Sequence, residues 1–202
     1  MTMILTTVNL KGGLYRTTAT LMLAQAYQQL GYNVAVLDLT PTDDCTTFAK
    51  ALGESGHAFT FKIDAMPIEL ENRSASVTDI KQRIDALHSE LGDNGVLLVD
   101  TASHDSQIVE DVAGLADVTF VPTDASFAAE RPTLETLKRT TSPSVALISP
   151  WRNPVTDDVR AEATRAGGKV LDTAICCADE FPEDFDTLMP QYLDLAKELV
   201  AA

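Results

Sequence analysis

Short apolar runs alternating with amphipathic stretches constrain this chain more than any other feature. Met3 to Val8, Asn33 to Leu37, Gly95 to Val99, Val118 to Pro122 and Val145 to Ile148 are almost continuously apolar. That is the pattern of strands buried on both faces of a parallel sheet. Between and after them, Thr17 to Leu30, Ser76 to Leu91, Ile108 to Leu115, Arg131 to Arg139, Val155 to Ala166 and Asp186 to Val200 predict helices. In the second of these, Ile80, Ile84, Leu87 and Leu91 fall on one face. Gly31 closes the first helix as a C′ residue, and Asp44 to Leu52 predicts a short helix closed by Gly53. Phe59 to Ile63 and Val170 to Ile175 predict two more strands, and Met66 to Arg73 is irregular. The alternation implies an α/β fold: a doubly wound, mostly parallel sheet with helices on both faces and ligands at the carboxyl ends of its strands.

The chain has 202 residues, 45% of them hydrophobic, which suits a single domain over 1–202 and excludes a mainly disordered chain. No run approaches the roughly 18 apolar residues of a membrane span, and MTMILTTVNLKGG has no basic, cleavable leader, so the expectation is cytoplasmic, with no membrane partner. Thirty acidic against fifteen basic residues leave a net charge of −15, the opposite of the footprint of a strong nucleic-acid binder. Cys176 and Cys177 are adjacent in an odd set of three cysteines, which predicts reduced thiols. His57, His88 and His104 stand at no zinc-binding spacing.

The segment Asn9-Leu10-Lys11-Gly12-Gly13-Leu14-Tyr15-Arg16-Thr17-Thr18 links the first strand to the first helix. There, backbone amides and the positive end of the helix dipole can receive phosphate. Against the ordinary phosphate-loop pattern G-x-x-x-x-G-K-[ST], only Thr17 matches. Two carboxylates, Asp38 and Asp100, close the second and fourth strands. Asp43 and Asp44 suit helix capping better than metal binding.

The loop is much closer to K-G-G-x-G-K-T-T preceded by Asn, and six of its eight positions agree. In this it resembles the ParA/MinD superfamily of deviant Walker A ATPases, specifically the small plasmid-partition branch. VAVLDLTP resembles that superfamily's D-x-D-P motif, GVLLVDTAS its Walker B strand, and ADVTFVPTDAS its next strand. The resemblance extends through KVLDTAI to the last helix and implies a P-loop NTPase fold that binds ATP or ADP with Mg²⁺. It implies that Lys11 is the signature lysine, reaching across a homodimer to the partner's nucleotide. It makes Lys11, Gly12, Gly13, Leu14, Tyr15, Arg16, Thr17 and Thr18 the nucleotide-binding residues, with Thr17, Asp38 and Asp100 serving the metal. Lys11, Asp38 and Thr40 occupy its catalytic positions.

Three departures bear on catalysis. Tyr15 replaces a glycine, Arg16 replaces the lysine that bridges β- and γ-phosphates, and Thr40 replaces the second Asp of D-x-D-P. A guanidinium keeps the charge with a different reach, while a threonine can hold water but cannot act as a base near neutral pH. Two function classes therefore stay open. One is a nucleotide-dependent dimerisation switch in plasmid or chromosome partition or cargo positioning, working with an adaptor of the ParB type and hydrolysing ATP slowly. The other is a catalytically degenerate binding module or scaffold, for example in plasmid transfer. A metabolic ligase of the wider P-loop group is a third class, without a visible substrate motif. Residues 151–202 hold five basic and eleven acidic residues, so weak or no nonspecific DNA binding is expected, with Arg152, Arg160, Arg165 and Lys169 the candidate contacts. Trp151 suits packing at a strand end.

Overall fold

The computed structural model describes residues 3–68, 77–103, 106–124, 126–148, 155–176 and 184–201. Its elements are β1 (Met3–Thr7), α1 (Arg16–Gln29), β2 (Asn33–Asp38), α2 (Asp44–Glu54), β3 (Lys62–Ala65), α3 (Val77–Leu91) and β4 (Gly95–Asp100), then α4 (Ser106–Ala113), β5 (Val118–Thr123), α5 (Phe127–Leu137), β6 (Pro143–Leu147), α6 (Asp157–Arg165), β7 (Lys169–Val170) and α7 (Phe185–Val200). The strands form one seven-stranded sheet in the order β3-β2-β4-β1-β5-β6-β7. Every pairing in it is parallel. The chain moves outward from β1 to β3, returns to β4, and crosses β1 to begin the other half at β5. The winding reverses beside β1, so a crevice lies at the carboxyl ends of β4, β1 and β5.

Apolar alternation inside the strands builds two layers. Val34 and Val36 of β2 and Val96 and Leu98 of β4 pack with α1, α2 and α7, whereas Ala35, Leu37, Leu97 and Val99 pack with α3 and α4. A third cluster joins Val121 and Val145 to α4, α5 and α6. In the first layer the buried Tyr27 hydroxyl donates to the Ala196 carbonyl at 3.3 Å, tying α1 to α7.

The element order agrees with the sequence reading, and several boundaries differ for identifiable reasons. β3 runs from Lys62 to Ala65 instead of Phe59 to Ile63, pairing with Ala35 to Asp38 of β2. Phe59 instead stacks its ring on Phe61 at 4.8 Å. Gly53 lies inside α2, and Gly56, at φ 93°, is the glycine that turns left-handed after it. α5 starts at Phe127, four residues before the expected Arg131, because the Ser126 hydroxyl accepts from the Ala129 amide and caps it. β7 is two residues long, and further pairing is a single bridge between Ile148 and Ile175. Gly168 is forced by close approach, since a Cβ there would sit 2.0 Å from the Pro143 carbonyl. Trp151, Arg152, His104, Cys177 and part of the irregular stretch after Met66 lie outside the described residues.

Candidate functional site

The β1–α1 connection occupies the crevice. Gly13 and Tyr15 both adopt left-handed backbone, at φ 73° and φ 55°. A Cβ on Gly13 would meet nothing within 4 Å, so this glycine serves the turn and leaves an open approach to the backbone. At Tyr15 the same conformation costs roughly 1–2 kcal/mol. The position keeps a glycine's geometry while carrying a ring that is 38% exposed. α1 starts without a side-chain cap, so its first-turn amides, which have no helical partners, face a groove of about 440 Å³. The loop from Gly12 to Thr18 lines that groove together with Asp44 and Ser103. Leu14 is buried, so its side chain packs inward beneath the groove.

Arg16 stitches the loop together. Its Nη1 donates to the carbonyls of Asn9 and Lys11 at 2.8 and 2.6 Å, and its Nε donates to the Thr101 carbonyl at 3.2 Å. Burial lowers the guanidinium pKa, and Asp100 and Asp44 oppose that shift. The Lys11 ammonium lies 3.5 Å from an Asp124 oxygen, both side chains being partly exposed.

Asp100 is fully buried at the end of β4. One of its oxygens accepts from the Thr17 hydroxyl at 2.6 Å and from the Cys45 thiol at 3.4 Å, while the other has no partner among the described residues. Burial pushes its pKa up to about 6, against the pull of Thr17 and Arg16. A buried, unsatisfied carboxylate oxygen beside a threonine hydroxyl offers hard oxygen donors at the start of α1, and this donor set fits Mg²⁺.

The neighbouring β2–α2 loop meets most of its polar groups internally, although one buried Asp43 oxygen has no partner among the described residues. Asp38 accepts from the Thr40 amide (2.9 Å), the Thr40 hydroxyl (2.6 Å) and the Cys45 amide (2.8 Å). The Thr40 hydroxyl also accepts from the Asp44 amide at 2.8 Å, and Thr40 is 2% exposed. Burial raises the Asp38 pKa, with the Thr40 and Cys45 bonds opposing the rise. Asp38 and Thr40 therefore cap α2, the task expected of Asp43 and Asp44. Asp43 stands at the N-cap position at φ 51° with no side-chain capping bond, and Asp44 lies in the first turn.

The structure thus gathers Gly12 to Thr18 around one groove, with Lys11 at the start of the loop paired with Asp124, and buries Asp100, Asp38 and Thr40 beneath it. Cys45 joins Asp38 and Asp100 with ligating atoms within 4.8 Å of one another, a neighbour that the cysteine count did not reveal. Of the basic cluster, Arg165 is paired with Glu162 through Nε at 3.0 Å and through Nη2, and Arg152 lies outside the described residues. Among the described residues, no helix is long and apolar enough to cross a membrane.

An all-parallel sheet with a glycine loop and strand-end carboxylate at its switch point defines a P-loop-type nucleotide-binding fold. Residues 5–181 match the CobQ/CobB/MinD/ParA nucleotide binding domain, and the chain belongs to that family, within the ParA/MinD-type superfamily. No curated protein matches it in sequence. Among solved structures it is similar to an ATP complex of a Cyanothece McdA variant, with a TM-score of 0.70 and 15% identity over 99% of this chain and 96% of that one. It is also similar to the pNOB8 ParA bound to nonspecific DNA (TM-score 0.66, 15% identity, 100% and 98% covered). A third is the cobyrinic acid a,c-diamide synthase of Mycobacterium smegmatis with ADP and magnesium (TM-score 0.68, 18% identity, 99% and 94% covered). At these identities the likeness concerns the fold.

Proposed function

We propose that this chain, as a single domain, binds ATP with Mg²⁺ in the groove at the start of α1 and acts as a nucleotide-dependent dimerisation switch in the cytoplasm. The observation that carries the reading is the unsatisfied oxygen of buried Asp100, whose other oxygen accepts from Thr17 on the first turn of α1. Thr17 and Asp100 would hold Mg²⁺, which supplies charge neutralisation at the phosphates. The glycine loop and the first-turn amides receive phosphate oxygens, and Arg16 braces the loop from below. Lys11 stands at the mouth with a flexible stem suited to a partner's phosphate. Phe127, 95% exposed at the start of α5, adds an apolar ring that association would cover.

A second reading has its own support. The Thr40 hydroxyl donates to Asp38 and accepts from the Asp44 amide, Asp38 accepts three bonds, and both residues are buried, so each is committed to holding the start of α2. This favours slow turnover, or a binding module that holds nucleotide without hydrolysing it. The cargo would be a plasmid, a chromosome or another assembly, engaged through an adaptor of the ParB type. DNA contact is weak, because the net charge is −15 and Arg165 is neutralised.

Isothermal titration with ATP, ADP and Mg²⁺ tests the reading. Micromolar Mg²⁺-dependent binding, with a shift to dimer in light scattering on adding ATP, is the expected result. Heatless titrations would reject it, and phosphate release measured on the same sample separates the two readings.

A further inference from the structure

Three consecutive loop residues are each tied to the β5–α5 segment. The Asn9 side-chain amide donates to the Thr133 hydroxyl at 3.1 Å and to the Pro122 carbonyl at 2.9 Å. The Leu10 backbone amide donates to the Thr136 hydroxyl at 3.0 Å, and that hydroxyl donates to the Pro132 carbonyl at 2.8 Å. The Lys11 ammonium pairs with one oxygen of Asp124, whose other oxygen accepts from the Ser126 amide at 2.8 Å. Asn9, Thr133 and Thr136 are all 0% exposed.

Each contact has a distinct consequence. Asn9 is the hub: its side-chain oxygen accepts the Lys11 amide at 2.9 Å and its backbone carbonyl accepts Arg16. Thr136 turns the Leu10 amide into α5, away from the groove. That fixes the Asn9–Leu10 peptide, one residue before Lys11, while the Asn9 side-chain oxygen holds the Lys11 amide itself. A shielded N–H left without its acceptor carries a desolvation penalty, so the orientation of this stretch is held firmly. Asp124 is different in kind. It holds the ammonium without enclosing it, and it places a negative charge near the path of an incoming anion.

We propose that Thr133 and Thr136 are positioning residues for Lys11, and that Asp124 is a counter-ion which competes with the phosphate anion for that lysine. The inference rests on the nucleotide reading of the loop and makes the two kinds of contact act with opposite sign. Losing a threonine hydroxyl lets the loop wander and weakens binding. Neutralising Asp124 frees Lys11 and removes a repulsive charge, which strengthens it.

The test uses the full chain with Mg-ATP as probe, comparing Thr136→Val, Thr136→Ser and Asp124→Asn with wild type by calorimetric titration, with melting curves in parallel. Asparagine keeps the oxygen that accepts from Ser126. Thr136→Val should weaken binding about tenfold and Thr136→Ser should restore it to within about threefold, while Asp124→Asn should tighten it about three- to tenfold, and more so at low salt. Amide exchange supplies a readout that needs no nucleotide: in Thr136→Val the Leu10 amide should exchange at least tenfold faster, with the α7 amides unchanged. If wild type binds ATP and Thr136→Val binds equally well, or Asp124→Asn binds more weakly, the proposal fails and the nucleotide reading stands. If wild type binds no ATP, the nucleotide reading fails, and with it the counter-ion role of Asp124. The exchange arm then decides the positioning role, which falls if Leu10 is protected equally in both proteins.

Discussion

The loops after β1 and β2 start from neighbouring regions of one sheet edge and treat their polar groups in opposite ways. The β1 loop leaves capacity open, with first-turn amides without a cap and a groove of about 440 Å³, and Thr17 at its end meets Asp100 of β4, one oxygen of which has no partner among the described residues. The β2 loop spends most of its capacity on itself, with Asp38 accepting three bonds and the Thr40 hydroxyl donating to Asp38 while accepting from Asp44, and leaves one buried oxygen of Asp43 without a partner among the described residues. A site that binds a ligand needs unmet valence, whereas a helix cap needs met valence. By that criterion the crevice at Thr17 and Asp100 suits a ligand, whereas Asp38 and Thr40 are engaged in holding the start of α2.

The largest expected effect comes from removing the brace of the open loop. Arg16→Ala loses donors to three backbone carbonyls, and hydrogen bonds to charged groups are each worth about 1.5–3 kcal/mol. Chemical denaturation should show a loss of roughly 3 kcal/mol, and Mg-ATP affinity should fall at least tenfold. Unchanged affinity in a folded variant would mean that the open loop is not the ligand site, and the comparison would break.

Asp100→Asn should move stability and binding in opposite directions. A carboxyl whose folded pKa, about 6, lies above its unfolded value near 4 favours the folded state while protonated. Its contribution is full below about pH 4 and is lost as pH rises through about 6. In magnesium-free buffer the wild type should lose roughly 2–3 kcal/mol across that window through this group, and the variant should not. At pH 8 the variant should therefore unfold at higher denaturant while binding Mg-ATP more weakly. A variant less stable at pH 8 would show that the open oxygen costs nothing.

The closed loop predicts that restoring an acid does not restore chemistry. Thr40→Asp places a second carboxylate against buried Asp38 and removes the hydroxyl proton that Asp38 accepts. It should cost roughly 1–2 kcal/mol and raise the pKa of the pair, since like charges at hydrogen-bond distance resist joint ionisation. Phosphate release should stay at the wild-type rate. A clear rise in turnover would show that this loop opens on binding.

Much of this contrast was legible in the sequence, and what was hidden has a physical cause. Strands buried on both faces announce themselves as continuous apolar runs, so β1, β2, β4, β5 and β6 were evident. The edge strands β3 and β7 pair on one side only, so their extent is less strongly marked by a continuous apolar run. The phosphate loop was visible because Lys11, Gly12, Gly13, Thr17 and Thr18 are contiguous. Thr133 and Thr136 were not, because they meet the loop across 124 and 126 residues and sit in a helix where a threonine carries no signal of its own. Asp38 and Thr40 were found as motif positions, but their capping role depends on where α2 begins, which the Asp43-Asp44 pair obscured.

The smallest effect sharpens the description of the open loop itself. Tyr15 holds φ 55° and ψ 26°, and two substitutions separate its backbone from its ring. Tyr15→Gly relieves a left-handed strain of roughly 1–2 kcal/mol but adds unfolded-chain entropy worth about 0.5–1 kcal/mol, so the net gain should be no more than about 1 kcal/mol. Tyr15→Ala keeps the strained Cβ and removes only the ring, so its difference from wild type reports what the ring contributes. If the ring rests against a bound nucleotide, alanine and glycine should both weaken Mg-ATP binding a few-fold. If it restricts entry to the groove, both should strengthen binding by a similar factor, since the ring is 38% exposed at the groove's edge. Glycine differing from alanine in stability by less than about 0.3 kcal/mol would show that the left-handed turn is held by Gly13 and Arg16 rather than by residue 15, and would move the origin of the loop's open geometry to those two positions.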